Sequence, residues 1–139
     1  MSRLIAEIGG SSSRWALLGN DDQASLHPVH GESMSGFNPL SGDAERFASG
    51  IRAYFLERQP AALEARELVA YGAGCGSPER AAIMESALRQ LWPAASISVK
   101  TDLEGAARGL WREECPFVIV LGTGSGVGWF DGERLHQRF

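Results

Sequence analysis

Near the C-terminal end of the chain, Phe117 to Leu121 form an unbroken apolar run rich in β-branched residues, and the run stops at Gly122-Thr123-Gly124-Ser125-Gly126. The run reads as a strand buried on both faces. The glycines allow backbone conformations closed to other residues and leave no Cβ to hold a ligand away, while the hydroxyls add donors. A strand feeding such a loop aims backbone N–H groups at an anion. Val127 to Phe130 then reads as the returning strand, Asp131-Gly132 as a hairpin turn and Glu133 to Phe139 as the next strand. Two other phosphate loops are excluded. No lysine follows the glycines as a Walker loop requires. The third glycine of a dinucleotide fingerprint falls on Val127 or Trp129. The plainer alternative is a tight hairpin between core strands.

The N-terminus repeats the pattern. Arg3 to Ile8 is a short apolar strand, Gly9-Gly10-Ser11-Ser12-Ser13 a glycine and hydroxyl loop, and Trp15 to Leu18 a second strand, with Glu7 beside the loop. Gly19-Asn20-Asp21-Asp22 is a turn, and a third strand is expected around Ser25 to His30. Gly36-Phe37-Asn38-Pro39-Leu40 reads as an ordered loop. A helix capped by Ser41 or Asp43 runs to about Arg58, with Phe47, Ile51 and Phe55 at helical spacing, and ends at Gln59-Pro60. Leu63 to Arg66 is a turn of helix or a loop. Glu67 to Tyr71 is a fourth strand. Ser77-Pro78 starts a helix that carries Ile83, Leu88 and Leu91. Ser96 to Val99 is a fifth strand, and Thr101-Asp102-Leu103-Glu104 opens a helix bearing Ala106, Ala107 and Leu110. Three antiparallel strands followed by strands alternating with helices describe an α/β fold with a mixed sheet and helices on both faces.

The 139 residues suit one domain, residues 1–139, and the apolar share of 44% is that of an ordinary globular protein. A net charge of −4 does not suggest a nucleic-acid or anionic-membrane partner. The sequence shows no span and no signal peptide, and Cys75 and Cys115 make no disulfide framework, so a cytoplasmic protein is expected. Both cysteines read as small buried groups and the four tryptophans as packing residues; His27 and His30 lack a third ligand for a metal.

Asp102 stands at a strand-to-helix junction between the two glycine loops in sequence. In open sheets ligands bind beyond strand ends, where loops and helix N-termini meet. Two phosphate-facing loops and a carboxylate suit phosphoryl transfer, the carboxylate accepting the proton of the attacking hydroxyl. Plainer roles exist for each residue: Asp102 as helix N-cap, Glu7 as a solvated strand-end charge, and Asn38 before Pro39 as a turn residue.

Taken together, four stretches resemble the N-terminal half of the sugar kinase/Hsp70/actin superfamily of ATPases. They are Ala6 to Ser13 with Trp15; Gly36 to Pro39; Tyr71 to Cys75; and Thr101 to Gly109 followed by Leu121 to Ser125. The nearest branch is the N-acetylglucosamine kinase-like, BadF/BadG/BcrA/BcrD type. The resemblance implies a ribonuclease H-like mixed sheet of five or slightly more strands, one lobe of an actin-like ATPase domain. It implies ATP and Mg²⁺ as cofactors, a small-molecule sugar and a nucleotide as partners, and phosphorylation of an amino sugar such as N-acetylglucosamine. Asp102 then corresponds to the catalytic base, which also holds a sugar hydroxyl, and Asn38 to the sugar-binding asparagine. Gly9, Gly10, Ser11, Ser12 and Ser13 match the first phosphate loop, and Gly122, Thr123, Gly124 and Ser125 the second. Glu7 matches the carboxylate that organises the metal through water.

Two departures stand out. The family's first loop usually begins with aspartate, where this chain has Glu7, and its basic residue is replaced by Ser12, with no cation before Arg14. A methylene displaces the carboxylate by roughly an ångström, a shift that can cost on the order of a hundredfold in rate. The family also continues into a second lobe, so a fragment of a two-lobe protein is expected, the isolated lobe being inactive. A homodimer is compatible with this reading. The alternatives are a domain that senses sugar or nucleotide without turnover, and a BadF-type ATPase activator of an iron–sulfur electron-transfer system, for which Cys75 and Cys115 offer no evident pair.

Overall fold

The computed structural model describes residues 2–19, 26–28, 34–111, 117–121 and 125–137. Strand β1 (Arg3–Ile8) turns tightly into β2 (Ser12–Leu18), running antiparallel from Arg3 opposite Leu18 to Ile8 opposite Ser13. Alternation puts Leu4, Ala6 and Ile8 on one face, fully buried, and Arg3, Ile5 and Glu7 on the other. β3 (Leu26–Pro28) extends the sheet beyond β2, within the stretch expected to form the third strand. A two-residue strand not foreseen in the sequence, β4 (Met34–Ser35), pairs with the start of β2.

Asp43 caps α1 (Ala44–Arg58) by accepting the Arg46 N–H at 3.1 Å, and the expected stripe of Phe47, Ile51 and Phe55 is buried. Of Leu63 to Arg66, open in sequence between helix and loop, the first two residues close a 3₁₀ helix, Pro60–Glu64, and the rest lies beyond it. β5 (Glu67–Gly72) lies parallel to β1, and β6 (Ser96–Thr101) parallel to β5. Between them Ser77 caps α2 (Pro78–Arg89), accepting the Arg80 N–H at 3.3 Å. The buried stripe of α2 is Met84, Ala87, Leu88 and, just past its end, Leu91. Ile83, expected on that stripe, is 44% exposed, because the stripe begins one residue later.

The main sheet therefore has the order β3-β2-β1-β5-β6, with β4 also on β2. Its core clusters Leu4, Ile8, Trp15, Phe55, Leu68 and Trp92 with the α1 and α2 stripes. Trp15 packs edge-on against Phe55 at 5.5 Å, and Trp92 donates its indole N–H to Ala62 O at 2.9 Å. α3 (Asp102–Leu110) crosses the opposite face of the sheet, where Gly105 meets Tyr71. Leu110, read as part of its apolar face, is 71% exposed.

β7 (Phe117–Leu121), β8 (Ser125–Phe130) and β9 (Leu135–Gln137) do not extend this sheet but form a second, antiparallel one. α3 is shared: its Leu103 and Ala107 pack with Val118 and Phe130 in a small second core. This corrects the expectation of a strand buried on both faces. Val118 is buried, whereas Phe117 and Ile119 are 69% and 63% exposed, since nothing among the described residues covers the face away from α3. No helix of the described residues is long and apolar enough to cross a membrane.

Candidate functional site

The three parallel strands end level. Ile8 stands opposite Gly72, and Gly72 opposite Thr101, so the loops after β1 and β5 and the first turn of α3 leave one edge of the sheet together. One residue back, Arg14, Glu7, Tyr71 and Lys100 form a row across β2, β1, β5 and β6. An open cleft of about 830 Å³ lies between this row and α3, lined by Glu7, Arg14, Tyr71, Asp102, Gly105 and, from β7, Ile119. The strand order thus brings together two carboxylates far apart in sequence.

Asp102 is held at the first turn of α3. Thr101, not Asp102, is the N-cap: its hydroxyl accepts the Glu104 N–H at 3.1 Å. Asp102 Oδ1 accepts the Leu103 N–H at 2.9 Å. The N-cap role considered for Asp102 is therefore taken by its neighbour. Gly105 sets how closely α3 approaches the sheet, since a Cβ there would lie 2.7 Å from Tyr71 Cγ. Beneath this edge Cys75 is buried. Burial pushes its thiol pKa up to about 11, and the negative charge of nearby Asp102 adds to the shift.

The first glycine loop closes with Gly9 N–H donating to Ser12 O at 2.9 Å. The Gly36–Pro39 segment packs directly on it. Phe37 N–H donates to Gly9 O at 2.9 Å, and a Cβ on Gly36 would collide with the backbone of Gly9, Ser11 and Ser12. Asn38 is thereby placed beside the loop, though it does not line the cleft. Its Oδ1 accepts the Leu40 N–H at 2.9 Å, the turn role, and its amide nitrogen has no partner among the described residues. Gly10, Ser11 and Ser12 sit at the exposed tip. Ser13 does not join them. Its buried hydroxyl donates to Ser35 O at 2.7 Å and accepts the Trp15 indole N–H at 2.8 Å, on the face that packs against α1. Alternation carried the signal, because Ser13 is two residues from the core residue Trp15. By the same parity Arg14 faces the cleft, a residue sequence reasoning passed over.

Of the second loop, Gly122, Thr123 and Gly124 lie outside the described residues, as do His30 and Cys115; Ser125 begins β8. No group of three or more His, Cys, Asp or Glu side chains among the described residues forms a metal cage. The donor set of the cleft, Glu7 and Asp102, suits Mg²⁺ all the same, since that ion keeps several waters and takes one or two carboxylates together with substrate phosphates.

This architecture is the actin-like, ribonuclease H-like ATPase fold. Among solved structures, the chain is similar to a candidate N-acetylglucosamine kinase of Porphyromonas gingivalis, with 29% identity and a TM-score of 0.72 over 96% of this chain and 46% of the other. It also resembles the ADP-bound MreB5 of Spiroplasma citri, with 12% identity, a TM-score of 0.65, and 96% and 50% of the two chains covered. A glucokinase from an Antarctic psychrotroph gives 14% identity and a TM-score of 0.57 over 99% of this chain and 49% of the other. The last two show the fold alone. The chain spans about half the length of each of these proteins. No protein-family model and no curated protein sequence matches it.

Proposed function

We propose that this chain is one lobe of a two-lobe kinase that transfers the terminal phosphate of ATP to a hydroxyl of an amino sugar, N-acetylglucosamine being the first candidate. The observation that carries the reading is the cleft itself, where Glu7 and Asp102 face one space at the level ends of β1, β5 and β6. Similarity to a candidate N-acetylglucosamine kinase supports the substrate class. Coverage of about half of each neighbour supports a second lobe, as does the apolar face of β7–β9, which nothing among the described residues covers.

Asp102 would act as general base. It takes the proton of the sugar hydroxyl as that oxygen bonds to the terminal phosphorus and the bond to the ADP oxygen breaks. Gly9 to Ser12 would hold phosphate oxygens with backbone N–H groups, and the sequence resemblance gives Gly122 to Ser125 the same role. Ser13 supports the first loop from below. Asn38 would offer its amide to the sugar. Glu7, with Asp102 near, would hold Mg²⁺ through water; that ion, when bound, neutralises charge developing on the phosphate oxygens. The BadF/BadG/BcrA/BcrD branch fits the four sequence stretches, and its members' other activities are secondary readings.

The test is ADP release by the full-length protein with Mg-ATP, with and without N-acetylglucosamine, beside Asp102→Ala. Sugar-dependent release that disappears in the variant supports the assignment. Release from neither protein across a hexosamine panel rejects the kinase reading in favour of a sensing domain, which Glu7 and Ser12 would favour.

A further inference from the structure

Polar contacts as well as the small apolar core join α3 to the second sheet, and they converge on Arg108. Glu104 and Arg108 stand one helical turn apart. Glu104 Oε1 accepts from Arg108 Nε at 3.3 Å and from Nη2 at 3.1 Å, and Lys100 Nζ, on β6, lies 3.7 Å from the same oxygen. Arg108 Nη2 also donates to Glu133 O at 3.3 Å, in the turn between β8 and β9, and its guanidinium lies 5.5 Å over the Phe130 ring. Lys100, Glu104, Arg108 and the Glu133 carbonyl thus make a continuous polar chain from the main sheet to the second one. Its far end is held firmly. Asp131 Oδ1 accepts the Glu133 and Arg134 N–H groups at 2.8 and 2.7 Å, and the Asp131 N–H donates to Arg134 O at 3.2 Å. These bonds fix the peptide units of the turn, so the Glu133 carbonyl stays where Arg108 reaches it.

We infer that Arg108 is an electrostatic latch: it fastens the β8–β9 turn to α3 and, through Glu104 and Lys100, to the main sheet, and so holds in place the cleft wall that β7 contributes. β7 is paired with β8 along its whole length, Ile119 opposite Val127, so what restrains β8 restrains Ile119. The chemistry favours arginine. One planar fork of donors serves a carboxylate and a carbonyl together while its face covers an aromatic ring, whereas lysine offers a single ammonium. The Glu104 side chain is only 21% exposed, so solvent screens the pair incompletely at low salt. The two attachments of the second sheet therefore respond to different conditions. The contacts of Leu103 and Ala107 with Val118 and Phe130 are apolar, and the latch is ionic and yields to salt. The latch requires no ligand and is independent of the phosphotransfer proposed above.

The experiment is hydrogen–deuterium exchange of the full-length protein beside Arg108→Met, Arg108→Lys and Glu104→Gln, at low salt and in about 1 M sodium chloride, where the screening length falls to about 3 Å. Methionine keeps an apolar cover on Phe130 and removes the charge. At low salt, amides of β8 and β9 are expected to exchange about 3- to 30-fold faster in Arg108→Met, with those of β1 and β5 unchanged and with Arg108→Lys and Glu104→Gln in between. High salt is expected to speed exchange of β8 and β9 in the wild type and to leave Arg108→Met as it was. Identical exchange of β8 and β9 in the wild type and Arg108→Met would overturn the latch. So would an equal acceleration of β1 and β5, which reports a loss of global stability, or a salt response as large in Arg108→Met as in the wild type, which would show that charge is not what holds the turn.

Discussion

Replacing Gly105 by alanine sets two effects of opposite sign against each other on α3. Alanine in a helix interior is favoured over glycine by about 0.8–1 kcal/mol. Against this, the new Cβ would sit 2.7 Å from Tyr71 Cγ and 2.9 Å from both Cβ and Cδ1. Those atoms are the root of the ring and cannot swing aside as a flexible tip could. The helix must lift from the sheet, and overpacking of this kind costs about 1–3 kcal/mol. Gly109, four residues on in the same helix, has nothing within 4 Å of where a methyl group would stand, so Gly109→Ala gains propensity without the clash. The difference between the two variants therefore isolates the contact, at about 1–3 kcal/mol, or roughly 3–15 °C in melting temperature for a chain of this size. Thermal unfolding followed by circular dichroism is sufficient. Equal shifts for Gly105→Ala and Gly109→Ala would refute the argument that Gly105 sets the height of α3 over β5. If it does set that height, Gly105→Ala also displaces Asp102 one turn earlier, and activity should fall about a hundredfold for an ångström of movement.

Ser13→Ala removes a buried donor and strands the Trp15 indole N–H, so urea unfolding should show a loss of about 1–3 kcal/mol, with nucleotide affinity retained; unchanged stability would contradict the buried network. Cys75 has a folded-state pKa raised from 9.0 to about 11, so its contribution to stability is complete below pH 9 and is lost as pH rises from there towards 11. Urea midpoints between pH 8 and 11 should fall less steeply in Cys75→Ala, and parallel curves would count against the assignment. Asp131 accepts a hydrogen bond from His136 and the backbone N–H groups of Arg134 and Glu133, which lowers its pKa below the usual 3.8; its stabilisation of the hairpin is present above that value and disappears as the solution is acidified through the lower folded-state pKa. An NMR titration of its carboxyl carbon placing the midpoint at or above 3.8 would refute this.

Much of the fold was legible because local signals agreed with one another. The Asp43 and Ser77 caps, the Pro60 stop and the 3.6-residue stripe of α1 each report on nearby backbone, and each stands where the sequence placed it. What escaped depended on partners distant in sequence. An apolar run such as Phe117 to Leu121 records that its residues tolerate burial, not that both faces have something to meet, and here, among the described residues, only the Val118 side does. Ile83 and Met84 are equally apolar, and only the sheet decides which of them turns inward. At the site, Glu7 and Asp102 could be nominated from their places at strand ends, but their meeting in one cleft follows from β5 lying between β1 and β6. Arg14 and Ser13 were separable by parity alone. Grouping Ser11 to Ser13 as one loop hid the fact that β2 had already begun at Ser12.

The two cores joined by α3 are very unequal. The larger spreads over the main sheet, α1 and α2, whereas the smaller, among the described residues, rests on Leu103, Ala107, Val118 and Phe130 with Ala106 and Leu135 packed against them. Cooperative units with so little buried area open first, well below the free energy of global unfolding. Amide protons of β7–β9 should thus exchange with solvent faster than those of β1 and β5, and each opening withdraws Ile119, the side chain that β7 contributes to the cleft wall. The helix that starts with Asp102, itself one wall of the cleft, is thus fastened at one side to a durable layer and at the other to a less durable one.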